Sequence, residues 1–350
     1  HHMSGYDRYP PVGEPLKGHF GYVQDVTFTL DGAKALSVSE DQTAILWDLV
    51  RGEAVQSYAI PDMAFYSTDV SLDGRHALLG TLSGWALLLD LQSGRVLQRM
   101  LGHQGRIVAV ALHPDGRGAL SGAADGDLRL WDVHSGAEMR CRHYDETSIA
   151  ARSGGLSPDE RRGLTGFYDG SLVLWDVASG AEIKRLAGHS ESIYAGVRFR
   201  PDGKTAVSGS GDVLAHARDN TVRLWDLETG AEMHVYAGHS DRLWDLDLAP
   251  DGRHVLSAGH DGSVRLWDLS AGPEESTGRT LLDLAPQAAR SVAFGPHGRT
   301  VLVGPAKGAS SAPDYRLILL EVETGKELRR LAGYGEVVTS VSISPDGRLA

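Results

Sequence analysis

Apolar and polar residues alternate with a period near two along most of the chain. In Val26-Thr27-Phe28 and Val264-Arg265-Leu266-Trp267, successive side chains fall on opposite faces, as they do in a β-strand. Gly, Asp and Asn interrupt this alternation about every 8 to 12 positions, which is typical of short antiparallel strands. No stretch carries a sustained helical stripe of apolar residues. The pattern therefore predicts an all-β chain.

One phrase recurs along the chain at intervals of 42 to 53 residues. Each copy ends in an aromatic or aliphatic residue followed by an acidic one: Trp47-Asp48, Leu89-Asp90, Trp131-Asp132, Trp175-Asp176, Trp225-Asp226, Trp267-Asp268 and Leu320-Glu321. Turns such as Asp31-Gly32 mark the middle of the units, and pairs such as Gly18-His19 open several of them. One four-stranded sheet leaves both of its faces exposed, so we expect the units to stack around an axis as a β-propeller.

The order Gly-His, Pro-Asp-Gly, Ser-Gly, Asp-Gly, Trp-Asp resembles the WD-repeat family over residues 14 to 350. The resemblance implies four-stranded antiparallel blades, each held by a hydrogen-bonded tetrad of His, Ser or Thr, Asp and Trp. The complete sets are His19, Ser37, Asp41 and Trp47; His103, Ser121, Asp125 and Trp131; and His239, Ser257, Asp261 and Trp267. A buried indole N–H and a buried imidazole both need partners, which such a tetrad supplies.

The other repeats depart from this set to different degrees. The fifth has His189, Ser208, Asp219 and Trp225; the fourth has Thr165, Asp169 and Trp175, and its candidate histidine, His143, lies outside the regular spacing. Repeats two and seven carry Leu79, Ser83 and Leu89, and Val303, Asp314 and Leu320, at the matching positions. We expect those two blades to be held by apolar packing.

The number of blades stays open at this stage. Glu14 to Leu16 resembles an outer strand, and Val337 to Ile343 begins an eighth repeat after seven full ones. Either seven blades close the ring, or the parent protein has eight. His1-His2-Met3 is typical of an affinity-tag remnant, so residues 1–5 are predicted to be tag and disordered start, and residues 6–350 to be the propeller.

Composition narrows the classes of partner. The formal net charge of −12 disfavours nucleic acid and acidic membranes as partners, and no apolar run approaches the length of a transmembrane helix. Cys141 is the only cysteine, which excludes an internal disulfide and a thiolate metal cluster and is compatible with a reducing compartment. We therefore expect a cytoplasmic monomer.

Histidine is abundant, with 15 residues, but the Gly-His histidines recur with the blades. A catalytic triad would occur once and beside an oxyanion hole, and no zinc-protease, P-loop or nucleophile-elbow motif is present. The fragment Asp125-Gly126-Asp127 lacks the further ligands of a calcium loop. We expect no catalytic activity, no cofactor and no metal site.

The resemblance also implies that partners dock on one rim, at residues that flank the start of each inner strand or precede the turn Asp. The matching positions are Tyr22, Gln24, Tyr66, Arg106, Arg152, Tyr168, Arg242, Trp244, His260 and Arg290. Arg, Tyr and Trp dominate binding energy at protein interfaces, and four arginines suit an acidic partner. For Tyr66 and Trp244 the alternative is packing between blades.

Two insertions, residues 209 to 219 and Gly304 to Pro313, are predicted to lengthen loops on that same rim. The sequence therefore predicts a non-catalytic scaffold that binds a protein or peptide. The alternative is a sensory or targeting domain of a larger multidomain protein, fused to a kinase or protease, as is common for bacterial WD repeats. An enzyme built on a propeller is the least favoured hypothesis.

Overall fold

The computed structural model describes residues 18–29, 31–49, 51–71, 73–113, 116–143, 153–159, 161–177, 179–211, 219–270, 278–307, 314–331, 338 and 340–343. These residues form 28 β-strands in seven four-stranded antiparallel sheets. Within them there is no helix long and apolar enough to cross a membrane. The prediction of an all-β propeller with four-stranded blades is confirmed, and the complete blades number seven.

Each blade uses four strands that are consecutive in sequence, numbered from the innermost outwards. The first four blades contain β1 (Val23–Phe28), β2 (Lys34–Ser39), β3 (Thr43–Asp48) and β4 (Glu53–Ala59); β5 (Phe65–Val70), β6 (His76–Thr81), β7 (Trp85–Asp90) and β8 (Val96–Leu101); β9 (Ile107–Leu112), β10 (Gly118–Ala123), β11 (Asp127–Asp132) and β12 (Glu138–His143); and β13 (Ser153–Leu156), β14 (Arg162–Gly166), β15 (Leu172–Asp176) and β16 (Glu182–Leu186). Blades five to seven contain β17 (Gly196–Phe199), β18 (Thr205–Gly209), β19 (Val222–Asp226) and β20 (Glu232–Tyr236); β21 (Leu243–Leu248), β22 (His254–Gly259), β23 (Ser263–Asp268) and β24 (Arg279–Asp283); and β25 (Ala288–Phe294), β26 (Thr300–Ala306), β27 (Leu317–Glu321) and β28 (Glu327–Leu331).

Several predicted features lie outside the described residues: the tag remnant and start at 1–5, the outer strand at 14–16, Arg152, and most of both long insertions. The second insertion begins later than predicted. Gly304 and Pro305 still pair with Ser291 and Ala289 of β25, so β26 continues to Ala306.

The beginning of the eighth repeat packs on blade seven. Val338, Val341 and Ile343 contact a cluster that contains Leu302 and Leu317. Apolar side chains of this kind also fill the spaces between complete blades, because each sheet buries both faces against its neighbours. Seven complete blades are therefore followed by a segment in the position of a further inner strand.

Apolar packing replaces the tetrads in blades two and seven. Leu79, Leu89, Val303 and Leu320 are fully buried in the clusters that join these blades to their neighbours. An aliphatic side chain has no polar atom to satisfy, so these positions need no serine or histidine partner.

Carboxylates of the inner strands hold blade one to blade two, blade two to blade three, and blade six to blade seven. Asp25 Oδ2 accepts the backbone N–H of Thr68 at 2.9 Å, and Asp69 Oδ2 accepts that of Leu112 at 2.8 Å. On the other side of the ring, Asp245 and Asp247 accept the N–H groups of Val292 and Phe294 at 3.0 and 2.8 Å. We call these four contacts the interblade clasps.

A small apolar cavity of about 80 Å³ lies between blades three and four. It is lined by residues that include Leu120, Leu128 and Trp175, and by Gly154 of β13. Glycine leaves this space because it has no side chain to pack.

We expect Gly154→Ala to raise the free energy of unfolding by about 0.5–1 kcal/mol, because alanine restricts the unfolded chain and adds a methyl group beside the cavity. A Cβ at Gly154 would meet only Leu164 O at 3.7 Å and Thr165 Oγ1 at 3.9 Å. Urea unfolding measures the change. Gly80→Ala is the matched control, since its Cβ would lie 2.7 Å from Ile107 Cγ2. A loss of stability in Gly154→Ala would contradict the cavity assignment.

Candidate partner-binding site at the channel mouth

Among the residues that the structure describes, four blades contain the full hydrogen-bonded chain of a tetrad. In blade three, Trp131 Nε1 donates to Ser121 Oγ at 2.7 Å, Ser121 Oγ lies 2.8 Å from His103 Nε2, and His103 Nδ1 lies 3.1 Å from Asp125. Blades one, five and six repeat these contacts through His19, Ser37, Asp41 and Trp47; His189, Ser208, Asp219 and Trp225; and His239, Ser257, Asp261 and Trp267.

The donors and acceptors in these chains have one consistent direction. Because the indole can only donate, the serine hydroxyl proton is available to His Nε2, and His Nδ1–H then donates to the aspartate. Burial lowers the pKa of His103 and His189 despite the adjacent carboxylates, which agrees with neutral imidazoles. The tetrads therefore serve the fold. In blade four, Trp175 donates to Thr165 at 3.1 Å, and the His143 side chain lies outside the described residues.

A possible metal ligand set coincides with one tetrad. The ligand atoms of His103, Asp125 and Asp127 lie within 4.8 Å of one another. However, His103 is bonded to Ser121 and Asp125, and Asp127 is paired with the guanidinium of Arg129. These contacts explain the cluster as part of the blade.

A β-bulge in the inner strands sets the geometry of the channel mouth. The pairing register shifts around Gln24, Tyr66, Val108, Trp244 and Arg290, which occupy the same position in five different repeats. Bulges of this kind re-aim a side chain out of the regular alternation. Tyr66, Val108, Trp244 and Arg290 accordingly line one cavity of about 310 Å³ at the axis of the ring.

Trp244 is the centre of this site. The Arg290 guanidinium lies 3.8 Å from its ring centroid, and the Arg242 guanidinium lies 4.7 Å away. The His260 ring is 6.0 Å away and is held by Asp241, with 2.8 Å between His260 Nδ1 and Asp241 Oδ2. Three predicted residues thus converge on a fourth, and both cation–π contacts stabilise the cluster.

A second contact of this type lies across the channel. The Arg106 guanidinium lies 5.3 Å from the ring centroid of Tyr66, which lines the same cavity as Trp244. Six of the ten predicted residues therefore belong to one contiguous region: Tyr66, Arg106, Arg242, Trp244, His260 and Arg290. We call this region the mouth cluster.

The remaining predicted residues lie elsewhere on the rim or outside the described part. Tyr22 is exposed beside blade one, and Gln24 donates to Glu40. Tyr168 is half-buried in the turn before β15. Arg152 lies outside the described residues.

Two residues of the cavity were missed by the sequence analysis. Tyr194 contacts Trp244 edge-on, with 5.4 Å between the ring centroids, and Arg198 lines the cavity and pairs with Asp247 at 3.7 Å. Tyr194 occupies the same repeat position as Tyr66 and Trp244, so a stricter alignment of the units would have identified it. Arg198 has no such signal, because it lies further along its strand.

Acidic groups below the mouth cluster are enclosed. Burial raises the pKa of Asp245 to about 7 and that of Asp25 to about 6, although backbone N–H groups oppose the shift in both cases. Burial also lowers the pKa of Arg290, and the nearby Asp245 raises it. Since a guanidinium keeps its proton in proteins, Arg290 contributes a full positive charge to the cavity.

Seven four-stranded blades, four of them held by Trp–Ser–His–Asp chains, define a β-propeller with an arginine and aromatic cluster at the mouth of its channel. The model of the "WD domain, G-beta repeat" family matches residues 10–48, 94–132, 180–226 and 230–268, the four stretches that end on the Trp-Asp pairs of blades one, three, five and six. The chain belongs to the WD-repeat β-propeller family.

Similarity to individual curated proteins is confined to about one repeat. The chain is 56% identical over 43 residues to the small ribosomal subunit protein RACK1 of Candida albicans, which is 12% of this chain and 14% of that protein. It is 56% identical over 41 residues to the protein of the same name from Saccharomyces cerevisiae, or 12% and 13% of the two chains. The match therefore spans about one seventh of these relatives.

Proposed function

We propose that this propeller is a non-catalytic scaffold that binds a protein or peptide at the mouth cluster. The observation that supports it most directly is the convergence of Arg106, Arg242 and Arg290 on two aromatic rings. These side chains come from different blades yet meet around one opening. Membership of the WD-repeat family agrees with an interaction module.

Charge and shape favour an acidic partner. The whole chain has a formal net charge of −12, whereas the mouth cluster concentrates guanidinium groups around Tyr66 and Trp244. Such a local field attracts carboxylates, and planar Arg and Trp surfaces bury well in the centre of an interface.

The proposal includes a monomer that acts in the cytoplasm. It is supported by the acidic surface charge and by the one cysteine of the sequence, whose thiol pKa is raised by burial to about 11. A thiol of such high pKa is a poor nucleophile at neutral pH. Light scattering of the purified chain measures the oligomeric state.

Affinity capture from a lysate of the source organism tests the proposed surface. We expect wild type to retain specific proteins that the double variant Arg242→Glu, Trp244→Ala loses, because a charge is reversed and a central aromatic surface is removed. An unchanged circular dichroism spectrum must show that the variant is folded. Arg95→Glu, which makes the same charge change at an exposed residue between β7 and β8, is the control.

Retention of the same proteins by wild type and the folded double variant would contradict the proposal. The same holds if Arg95→Glu abolishes capture as completely, since the effect would then follow net charge and not the mouth cluster.

A further inference from the structure

Arg290 is the arginine of the mouth cluster that lines the cavity itself. The structure shows no hydrogen bond and no ion pair from its guanidinium to any described residue, and its contact is the face of Trp244 at 3.8 Å. A guanidinium carries five N–H donors, and the Arg290 side chain is half-buried in the wall of the cavity. Because one face of the guanidinium lies over the Trp244 ring, its N–H donors, which point outwards from the edges of the group, can bind a ligand.

The nearest acidic group does not use those donors. Both oxygens of Asp245 accept backbone N–H groups, Oδ1 from Leu246 at 2.9 Å and Oδ2 from Val292 at 3.0 Å. The Asp245 carboxylate therefore stabilises the positive charge of Arg290 at a distance. Its Oδ2 forms the interblade clasp with Val292. The other acid beside the cluster, Asp241, is engaged by His260.

A second donor in the same wall also lacks an acceptor. The indole Nε1 of Trp244 is buried and has no hydrogen-bond partner among the residues that the structure describes. Trp244 and Arg290 line the same cavity together with Tyr66 and Tyr194. A donor without an acceptor favours a ligand that brings acceptor oxygens, because the ligand completes the missing hydrogen bond.

The size of the cavity limits what such a ligand can be. Its volume of about 310 Å³ lies at the lower end of the range for small-ligand pockets, about 300–1,000 Å³. That volume suits one side chain or one small anion, with the aromatic rings of Tyr66 and Tyr194 beside it.

We propose that the channel cavity is a seat for a single anionic group of the partner, a carboxylate or a phosphate, bound through the guanidinium of Arg290. Two parallel N–H···O bonds match the planar fork of arginine to either anion. The proposal rests on the proposed function and specifies it, since the mouth cluster then positions a partner whose acidic side chain enters the channel.

The test observes the arginine Nε–Hε resonances of ¹⁵N-labelled full-length protein during titrations at constant ionic strength. The probes are inorganic phosphate, the blocked peptide Gly-Gly-Glu-Gly-Gly and its glutamine counterpart Gly-Gly-Gln-Gly-Gly. We expect one resonance, absent from the Arg290→Gln spectrum, to shift saturably with the glutamate peptide or with phosphate and not with the glutamine peptide. Saturation by the peptide assigns a carboxylate, and saturation by phosphate alone assigns a phosphoryl group.

Variants separate the seat from general charge effects. We expect Arg290→Gln to weaken binding of the active probe at least about tenfold, Arg290→Lys to weaken it less, and Arg95→Gln to leave it unchanged, because only Arg290 offers a fork inside the cavity. Unchanged backbone amide spectra show that the variants are folded. The seat is refuted if no probe saturates, if the glutamine peptide binds as well, or if Arg290→Gln binds normally.

The seat and the proposed function can fail independently. If Arg290→Gln captures the same lysate proteins as wild type while Arg242→Glu, Trp244→Ala loses them, the rim binds its partner without the seat. If a probe saturates at Arg290 but neither variant changes capture, the seat exists and the scaffold proposal is wrong.

Discussion

Replacing Trp131 by alanine lowers the free energy of unfolding by about 3–5 kcal/mol, measured by urea denaturation. The side chain is 1% exposed and packs with Leu78, Leu88 and Met100 of blade two, so the change opens a cavity between two blades. It also removes the N–H that donates to Ser121. Packing and hydrogen bonding are lost together.

Two further variants separate those contributions. Trp131→Phe keeps most of the ring but not the N–H donor, so we expect a smaller loss of about 1–3 kcal/mol. Trp85→Ala makes the same substitution at a half-buried tryptophan and should cost less than Trp131→Ala. A loss of under about 1 kcal/mol for Trp131→Ala would refute the structural role of the tetrad.

Replacing Asp219 by alanine is expected to cost about 3–5 kcal/mol at pH 7, because it leaves buried donors without their anion. Its carboxylate is nearly inaccessible and accepts hydrogen bonds from His189, the backbone of Ser190, Thr221 and Arg223. Urea unfolding of the variant measures the loss.

Asp169→Ala is the matched control, since Asp169 has the same repeat position in blade four but is exposed. It accepts hydrogen bonds from the backbone and hydroxyl of Ser171. We expect a loss of about 1 kcal/mol or less. Equal losses in the two variants would show that the histidine and arginine contacts of Asp219 add nothing.

The pH dependence gives a second check on Asp219. Burial alone would raise its pKa, but the hydrogen bonds from His189, Thr221 and the backbone of Ser190 hold it well below the ordinary value. The unfolded chain therefore takes up this proton at about pH 4, before the folded chain does, and stability is lost as the pH falls further. The difference between wild type and Asp219→Ala should accordingly narrow from pH 5 to pH 2. A constant difference would contradict the depressed pKa.

The fold was predictable because each repeat is specified by short patterns of residues that are close together in the sequence. Strand alternation, Asp-Gly turns and the Trp-Asp endings each follow from backbone geometry within one unit, and together they predict the blades. Positions such as Ser121 and His103 could be proposed because their spacing is constant from blade to blade. The start of β13 and residue 152 had no such anchor, since blade four lacks the Gly-His pair.

The mouth cluster was only partly predictable. Tyr66, Trp244 and Arg290 share a repeat position, so the sequence predicts that they lie on the same rim. That Arg290 stacks on Trp244 depends on how adjacent blades are rotated, which no local pattern encodes. The same is true of Asp245, whose Oδ2 accepts the backbone N–H of Val292 in β25.

The interblade clasps bear on how such a chain can change in evolution. Each joins an aspartate to a backbone amide 43 or 47 residues later, and the receiving residues are as different as Thr68, Leu112 and Phe294. Because the donor is main chain, the contact demands no particular side chain from the following unit. When a unit that carries such an aspartate is duplicated or deleted in the gene, the carboxylate still finds a backbone donor in the unit that follows, so copy number can drift without the loss of these contacts.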